Sequence, residues 1–273
     1  MESIRLPDGR TAQLWLGGAD TGPTVLFFHG CPDTRHAAMT GHDAARAAGV
    51  RLLCVNRPGY GLSTPHPSSH ASVAADAMAA LDEVGAEAVA VIGMSIGGPY
   101  ALATAALHPD RVTSMAVVSS ISNLPERWLP GALDEVVERC RPDFAAWVAG
   151  IDPADPDDPS LVARFVASLP DADAALLVAR PVTDVAASVR EALVRPDGFL
   201  RDAAICLREW DFSPAAVSCP TTIVHGEHDT AHPLVHGRTL ADQVPGARLV
   251  VRPTTHLATL LTGWPEILAS LDS

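Results

Sequence analysis

The first group in this chain whose spacing could do chemistry is a serine among glycines, Gly93-Met94-Ser95-Ile96-Gly97-Gly98. A serine hydroxyl is a poor nucleophile at neutral pH until a base takes its proton, so Ser95 matters only if the fold supplies one. Residues 88–92 form an apolar run with the β-branched content of a buried strand, and residues 99–107 carry a helical pattern. A turn this sharp between strand and helix pinches its central residue, and only tiny side chains two positions before and after it avoid collision. The hydroxyl then projects above the sheet, in front of a helix N-terminus that favours negative charge. A helix N-cap serine is the plainer reading, but the glycine spacing and the strand–helix context favour a nucleophile.

The matching base is His256, in Pro253-Thr254-Thr255-His256-Leu257, beyond the last expected strand. Asp229, in His225-Gly226-Glu227-His228-Asp229, is the carboxylate that would hold the imidazole in the right tautomer and stabilise its cation. Glu227 and Asp211 compete for that role, and the chain order Ser, Asp, His favours Asp229. Acyl transfer also needs N–H donors aimed at the developing oxyanion. The backbone amides of Ile96 and of Cys31, in His29-Gly30-Cys31-Pro32, sit where such donors are expected. Cys31 counts here for its amide, since no adjacent base activates its sulfur.

A rival chemistry lies in the crowding of His225, His228, Asp229, His232 and His236, the last two histidines spaced i, i+4. That could describe a zinc site, but a loop scatters side chains of this spacing, so neither metal nor cofactor is expected. Met94, Trp128, Trp147 and Trp210 are the candidates for an apolar substrate pocket. Most other aromatics of that region are expected to pack among themselves.

The elements that must carry these residues alternate. Residues 3–6 and 11–16 flank Pro7-Asp8-Gly9 and read as a hairpin. Strands are expected at 24–28, 51–55, 88–92 and 111–119, separated by helices at 33–48, 72–84 and from 99. The alternation implies right-handed crossovers and a doubly wound, mostly parallel sheet covered on both faces. It stops near Ile121 and resumes with a strand at 221–224, a helix from Pro233, a strand at 248–251 and a last helix. Residues 122–210 are helical with breaks, including a proline–aspartate loop at 150–159 expected to connect two helices. The expected organisation is an α/β core from 1–121 and 211–273, with 122–210 inserted after about the sixth strand as a helical cap. Ligands of such sheets bind outside the carboxyl ends of the strands, where Ser95 would lie.

Bulk properties narrow the class. The chain has 273 residues, 48% of them apolar, which suits one large globular unit. A net charge of −13 disfavours nucleic acid and anionic membranes as partners. All 19 basic residues are arginine, so Schiff-base chemistry and Ser–Lys dyads are excluded. Five cysteines without a C-x-x-C spacing read as free thiols, and no apolar run has signal-peptide or membrane length, so a cytoplasmic location is expected. The expected partner is a small-molecule substrate, with a second copy of the chain left open.

Taken together, His29-Gly30-Cys31-Pro32, Asn56-Arg57-Pro58-Gly59-Tyr60-Gly61-Leu62-Ser63, the Ser95 turn, His225-Gly226-Glu227-His228-Asp229 and His256 resemble the α/β-hydrolase superfamily. The resemblance covers nearly all of the chain outside the cap and implies a serine hydrolase working through an acyl-enzyme, with Ser95, His256 and Asp229 as its triad. Serine at the turn argues against haloalkane dehalogenases and epoxide hydrolases, which use aspartate there. Carboxylesterases, lactonases, proline iminopeptidase-like peptidases and C–C bond hydrolases remain, with the ester or lactone preferred. A ligand-binding or non-hydrolytic lyase or cyclase member of the same fold is the alternative of another class. Asn56 stands where relatives often carry aspartate, and Thr254-Thr255 precede His256 where glycine is common.

Overall fold

The computed structural model describes residues 2–272. Eight strands form one sheet: β1 (Ser3–Arg5), β2 (Thr11–Gly18), β3 (Thr24–Phe28), β4 (Arg51–Val55), β5 (Val89–Met94), β6 (Val112–Val118), β7 (Thr221–Gly226) and β8 (Arg248–Arg252). Their spatial order is β1-β2-β4-β3-β5-β6-β7-β8. The first hairpin and the β2–β4 pair are antiparallel, and every later pair is parallel. The central strands are buried on both faces, β3 and β7 along their whole length, as a parallel sheet under two helical layers requires.

Helices α1 (His36–Met39), α2 (His42–Ala47), α3 (His70–Glu83) and α4 (Gly97–Leu107) precede the insertion. The single helix expected over 33–48 is broken at Thr40-Gly41. The indole of Trp264 fills the break: its Nε1–H donates to Thr40 Oγ1 at 2.8 Å, and a Cβ on Gly41 would lie 2.6 Å from the ring. Ser69 opens α3 through a reciprocal capping pair with Ser72.

Between β6 and β7 the chain runs through α5 (Leu133–Val148), α6 (Asp158–Val166), α7 (Asp171–Val178), α8 (Val182–Leu193) and α9 (Asp197–Cys206). These helices bury two small cores of their own, one around Leu161, Ala186 and Val189 and one around Val136, Leu200 and Ala204. The proline–aspartate loop is ordered by Arg190, which donates to Asp158 Oδ1 at 2.6 Å and to the Asp155 carbonyl at 2.7 Å. The chain closes with α10 (Val235–Gln243), α11 (His256–Leu261) and α12 (Trp264–Ala269).

Buried polar groups fasten the insertion to the sheet. Asp202 of α9 accepts from Arg57 Nε at 3.0 Å and Nη2 at 2.6 Å, from Tyr60 at 2.8 Å and from Tyr100 at 2.7 Å. Glu191 of α8 accepts from Asn56 Nδ2 at 2.8 Å and from Arg35 Nε at 3.1 Å. Asn56 therefore serves as a neutral link: its Nδ2 donates to both Glu191 and Gln13, and its Oδ1 accepts from the Arg35 amide. An aspartate there would place a second negative charge against Glu191. Asp173 of α7 accepts from Thr255 Oγ1 and from the amides of Leu257 and Ala258 at 3.1 and 3.3 Å. It thus satisfies the exposed N–H groups at the start of α11, a task its own N-cap Thr255 leaves undone.

Candidate active site

Ser95 follows β5 directly, with φ of 56° in the left-handed region that costs a non-glycine residue free energy. The strain is held by close packing. A Cβ on Gly93 would lie 2.6 Å from the Gly97 carbonyl, and one on Gly97 would lie 2.6 Å from the His29 carbonyl while colliding with that of Phe28. The Ser95 amide is anchored to the Val118 carbonyl at 2.9 Å. Because β3 and β5 are parallel neighbours, the loop after β3 ends beside the same turn, and Gly30 packs so closely that a Cβ there would sit 3.4 Å from Ser95 Cβ.

That loop is held from below. Arg57 donates to the His29 carbonyl at 2.5 Å and to the Gly30 carbonyl at 2.8 Å, and its own amide donates to His29 Nε2. His29 Nδ1–H then faces the Gly30 carbonyl at 2.9 Å. Burial and the neighbouring Arg57 charge push the His29 imidazole well below its ordinary pKa, so it is a neutral strut. Among the described residues, neither the Cys31 amide nor the Ile96 amide donates to a protein acceptor, which leaves both available to a ligand oxygen. Burial and the nearby Asp202 charge push the Cys31 thiol far up, so its sulfur stays protonated.

Asp229 lies in the loop after β7, and His256 opens α11 beyond β8. His256 Nδ1–H donates to Asp229 Oδ2 at 2.7 Å, and the His232 amide donates to Asp229 Oδ1 at 2.8 Å. Burial works to raise the Asp229 carboxyl, but the His256 hydrogen bond and charge outweigh it and hold the group below its ordinary value. His256 is therefore an imidazole backed by a buried carboxylate. The other candidates stand apart from it. Asp211 pairs with His70 at 2.9 Å at the N-terminus of α3, and the Glu227 side chain is exposed.

The sequence reading, with His256 as the base, does not foresee a second imidazole at Ser95. The side chain hydrogen-bonded to Ser95 Oγ is His232, through Nε2 at 3.1 Å. His256 stands edge to face with the His232 ring, their centroids 4.9 Å apart. The loop makes this happen: Asp229 Oδ1 takes the His232 amide, and His225 Nε2–H donates to its carbonyl at 2.7 Å, so the ring turns back over the serine. The crowding of histidines in sequence is a signal of a shared site, but it does not say which ring reaches Ser95. Among the described residues, no three side chains are grouped to hold a metal ion.

Above Ser95 lies a cavity of about 490 Å³ between sheet and cap. Met94 and Trp147 line it, together with Phe165, Leu177 and Leu257. Trp128 and Trp210 do not. Trp210 is buried in the main core, stacked on Phe212 at 5.3 Å and tilted against His70. Trp128 follows the short turn Pro125–Arg127 at the entry to the insertion, outside the cavity lining. Phase along the chain decides which face an aromatic takes, and irregular segments have no phase to read.

Asp33 also lines the cavity, next to the loop that carries the Cys31 amide. Burial pushes its carboxyl up to about 6. The folded protein thus holds this proton more tightly than the unfolded chain does. The resulting stabilisation is present below about pH 4 and is lost as pH rises through about 6. Asp33→Asn cannot ionise and keeps an acceptor for the Thr34 amide. Thermal unfolding should find this variant level with the parent at pH 4 and more stable at pH 8, by on the order of 1 kcal/mol because the cavity leaves the carboxyl partly hydrated. Parallel curves across this range would mean that Asp33 ionises freely.

Comparison with known proteins fits this geometry. Residues 23–261 match the family model described as alpha/beta hydrolase fold. The chain belongs to that family. This α/β hydrolase is 29% identical over 258 residues to a pimeloyl-[acyl-carrier protein] methyl ester esterase of Chromobacterium violaceum, covering 92% of this chain and 93% of that one. Its fold superposes on the enol-lactonase from Burkholderia xenovorans with a TM-score of 0.73 at 18% identity, covering 99% and 100% of the two chains. An esterase from Exiguobacterium antarcticum gives 0.72 at 19% identity, with 99% of each chain covered. Among the described residues of the hydrolase, no helix is long and apolar enough to cross a membrane.

Proposed function

We propose that this α/β hydrolase cleaves a small to medium, largely apolar carboxylic ester or lactone through an acyl-enzyme on Ser95. The observation that carries the reading is that Ser95 lines one cavity with Cys31 and Ile96, whose amides are unengaged, and with His256, whose imidazole is backed by the Asp229 carboxylate and stacks edge to face on the His232 ring that meets Ser95. In this mechanism Ser95 Oγ attacks the substrate carbonyl and its proton passes to His256 Nε2. The Asp229 carboxylate stabilises the imidazolium, and the amides of Cys31 and Ile96 hold the oxyanion. His256 then protonates the leaving group. A water that gives its proton to His256 attacks the acyl carbon, and as the acyl–Oγ bond breaks His256 returns that proton to Ser95 and the acid leaves. The apolar lining from Met94, Trp147 and Phe165 favours an acyl group of several carbons. The esterase relative supports an ester substrate, and the near-complete coverage of its length strengthens the comparison.

A fluorophosphonate probe tests the nucleophile, and a panel of p-nitrophenyl esters, lactones and amides tests the bond. Stoichiometric labelling on the peptide containing Ser95, with turnover of esters or lactones that carry an apolar acyl group, is the expected result. Labelling elsewhere, or none, would remove Ser95 from the mechanism. Labelling with amide turnover alone would move the protein to the peptidase class.

A further inference from the structure

Two imidazoles line the cavity with Ser95, His232 against its hydroxyl and His256 against His232, and the fold has given them different partners. His232 Nδ1 lies 2.8 Å from the carbonyl of Ala231, which accepts only from an N–H, so Nδ1 carries the proton and Nε2 presents its lone pair. The Ser95 hydroxyl therefore donates to His232 Nε2 across 3.1 Å. His256 Nδ1–H instead faces the buried carboxylate of Asp229 at 2.7 Å. An imidazole that accepts a proton becomes a cation. A carboxylate stabilises that cation far more than a peptide carbonyl does.

From this contrast we infer that His232 is a positioning residue: it holds the Ser95 hydroxyl in the resting enzyme, and Ser95 must turn from His232 to His256 before it can react. The inference rests on the serine-hydrolase reading above. The titratable groups that face the His232 ring are His256, Asp229 and His236, the last with its ring centroid at 6.0 Å. Burial and the neighbouring His256 push the His232 imidazole down to about 3, which suits an acceptor that never keeps the proton. The bond to His232 belongs to the ground state alone, so it opposes reaction.

The test is the second-order rate of fluorophosphonate labelling in the intact protein. His232→Val removes the acceptor and should label about five-fold faster, the factor equivalent to a net neutral hydrogen bond of about 1 kcal/mol. His232→Gln restores an acceptor at the same reach and should return the rate to that of the parent. The pH midpoint of labelling should be unchanged in both, because His256 remains the base, and His256→Ala should label at least about 100-fold slower, within the range that general-base catalysis supplies. A His232→Val rate equal to or below the parent's, or a displaced pH midpoint, would overturn the inference. Failure of the unaltered protein to label would instead reject the serine-hydrolase reading itself, so the two failures are distinguishable. If the valine variant does not fold, the glutamine variant carries the test: a displaced pH midpoint there would make His232 the base.

Discussion

Replacing Ser95 with alanine should lower kcat on a preferred ester by about 10⁶-fold, and Asp229→Asn should lower it by about 10⁴-fold. The double variant should be no slower than Ser95→Ala alone, because in the proposed mechanism the two residues act on one proton transfer. The alanine removes only the hydroxyl, whose hydrogen bond to His232 is the one side-chain link it makes among the described residues, so folding should be unaffected. The asparagine is more informative. Asp229 accepts from the His232 amide with one oxygen and from His256 with the other. In Asp229→Asn the amide oxygen can keep one of these donors, and the NH₂ then opposes the other. If it opposes Nδ1–H, His256 shifts to the tautomer with the proton on Nε2 and has no lone pair for Ser95. Pre-steady-state ester hydrolysis with purified variants measures both factors. Additive losses in the double variant would show that Asp229 acts outside the Ser95 step.

Much of this site can be read in the sequence because the constraints on it are local. Gly93 is glycine for a steric reason that operates within a few residues, against Gly97, Gly98 and Ala101, whereas Gly97 is hemmed in by the distant Phe28 and His29 carbonyls; the glycine spacing shows the turn, and the strand before it and the helix after it confirm its place. Asp229 and His256 are legible from their position after the last two strands, since a parallel sheet gathers its carboxyl ends on one edge. The residues that sequence reading misses depend on distant partners. Arg57 and Asp202 are 145 positions apart, and neither carries a local mark of the other. Asp173 lies on a short cap helix, yet it serves α11 more than 80 positions later. His232 reaches Ser95 because two hydrogen bonds set the path of its own loop and a third, from its ring to the Ala231 carbonyl, fixes the imidazole. The helix break at Thr40-Gly41 is likewise decided by Trp264, 224 positions away.

Asp202→Ala should produce the largest loss of stability in the molecule, about 3–5 kcal/mol, because it leaves a buried guanidinium without its counter-charge. The Arg57 and Asp202 side chains are only 2% and 4% exposed, and Tyr60 and Tyr100 would lose their acceptor at the same time. Urea unfolding at neutral pH measures the change. The double variant Arg57→Met/Asp202→Leu should recover most of it, since apolar side chains of similar volume avoid the desolvation cost that the ion pair must offset. Activity should not recover with stability. Arg57 also donates to the carbonyls of His29 and Gly30, and these hold the loop whose Cys31 lines the cavity and, in the proposed mechanism, gives its amide to the oxyanion. Without that clamp the amide loses its fixed direction, and misaligning one oxyanion donor costs about 10²–10³ in kcat. The double variant should therefore be stable and slow. A stable variant with full kcat would show that Arg57 serves the joint between cap and sheet alone; the expected separation would show that one buried guanidinium both fastens the cap and aims the oxyanion loop.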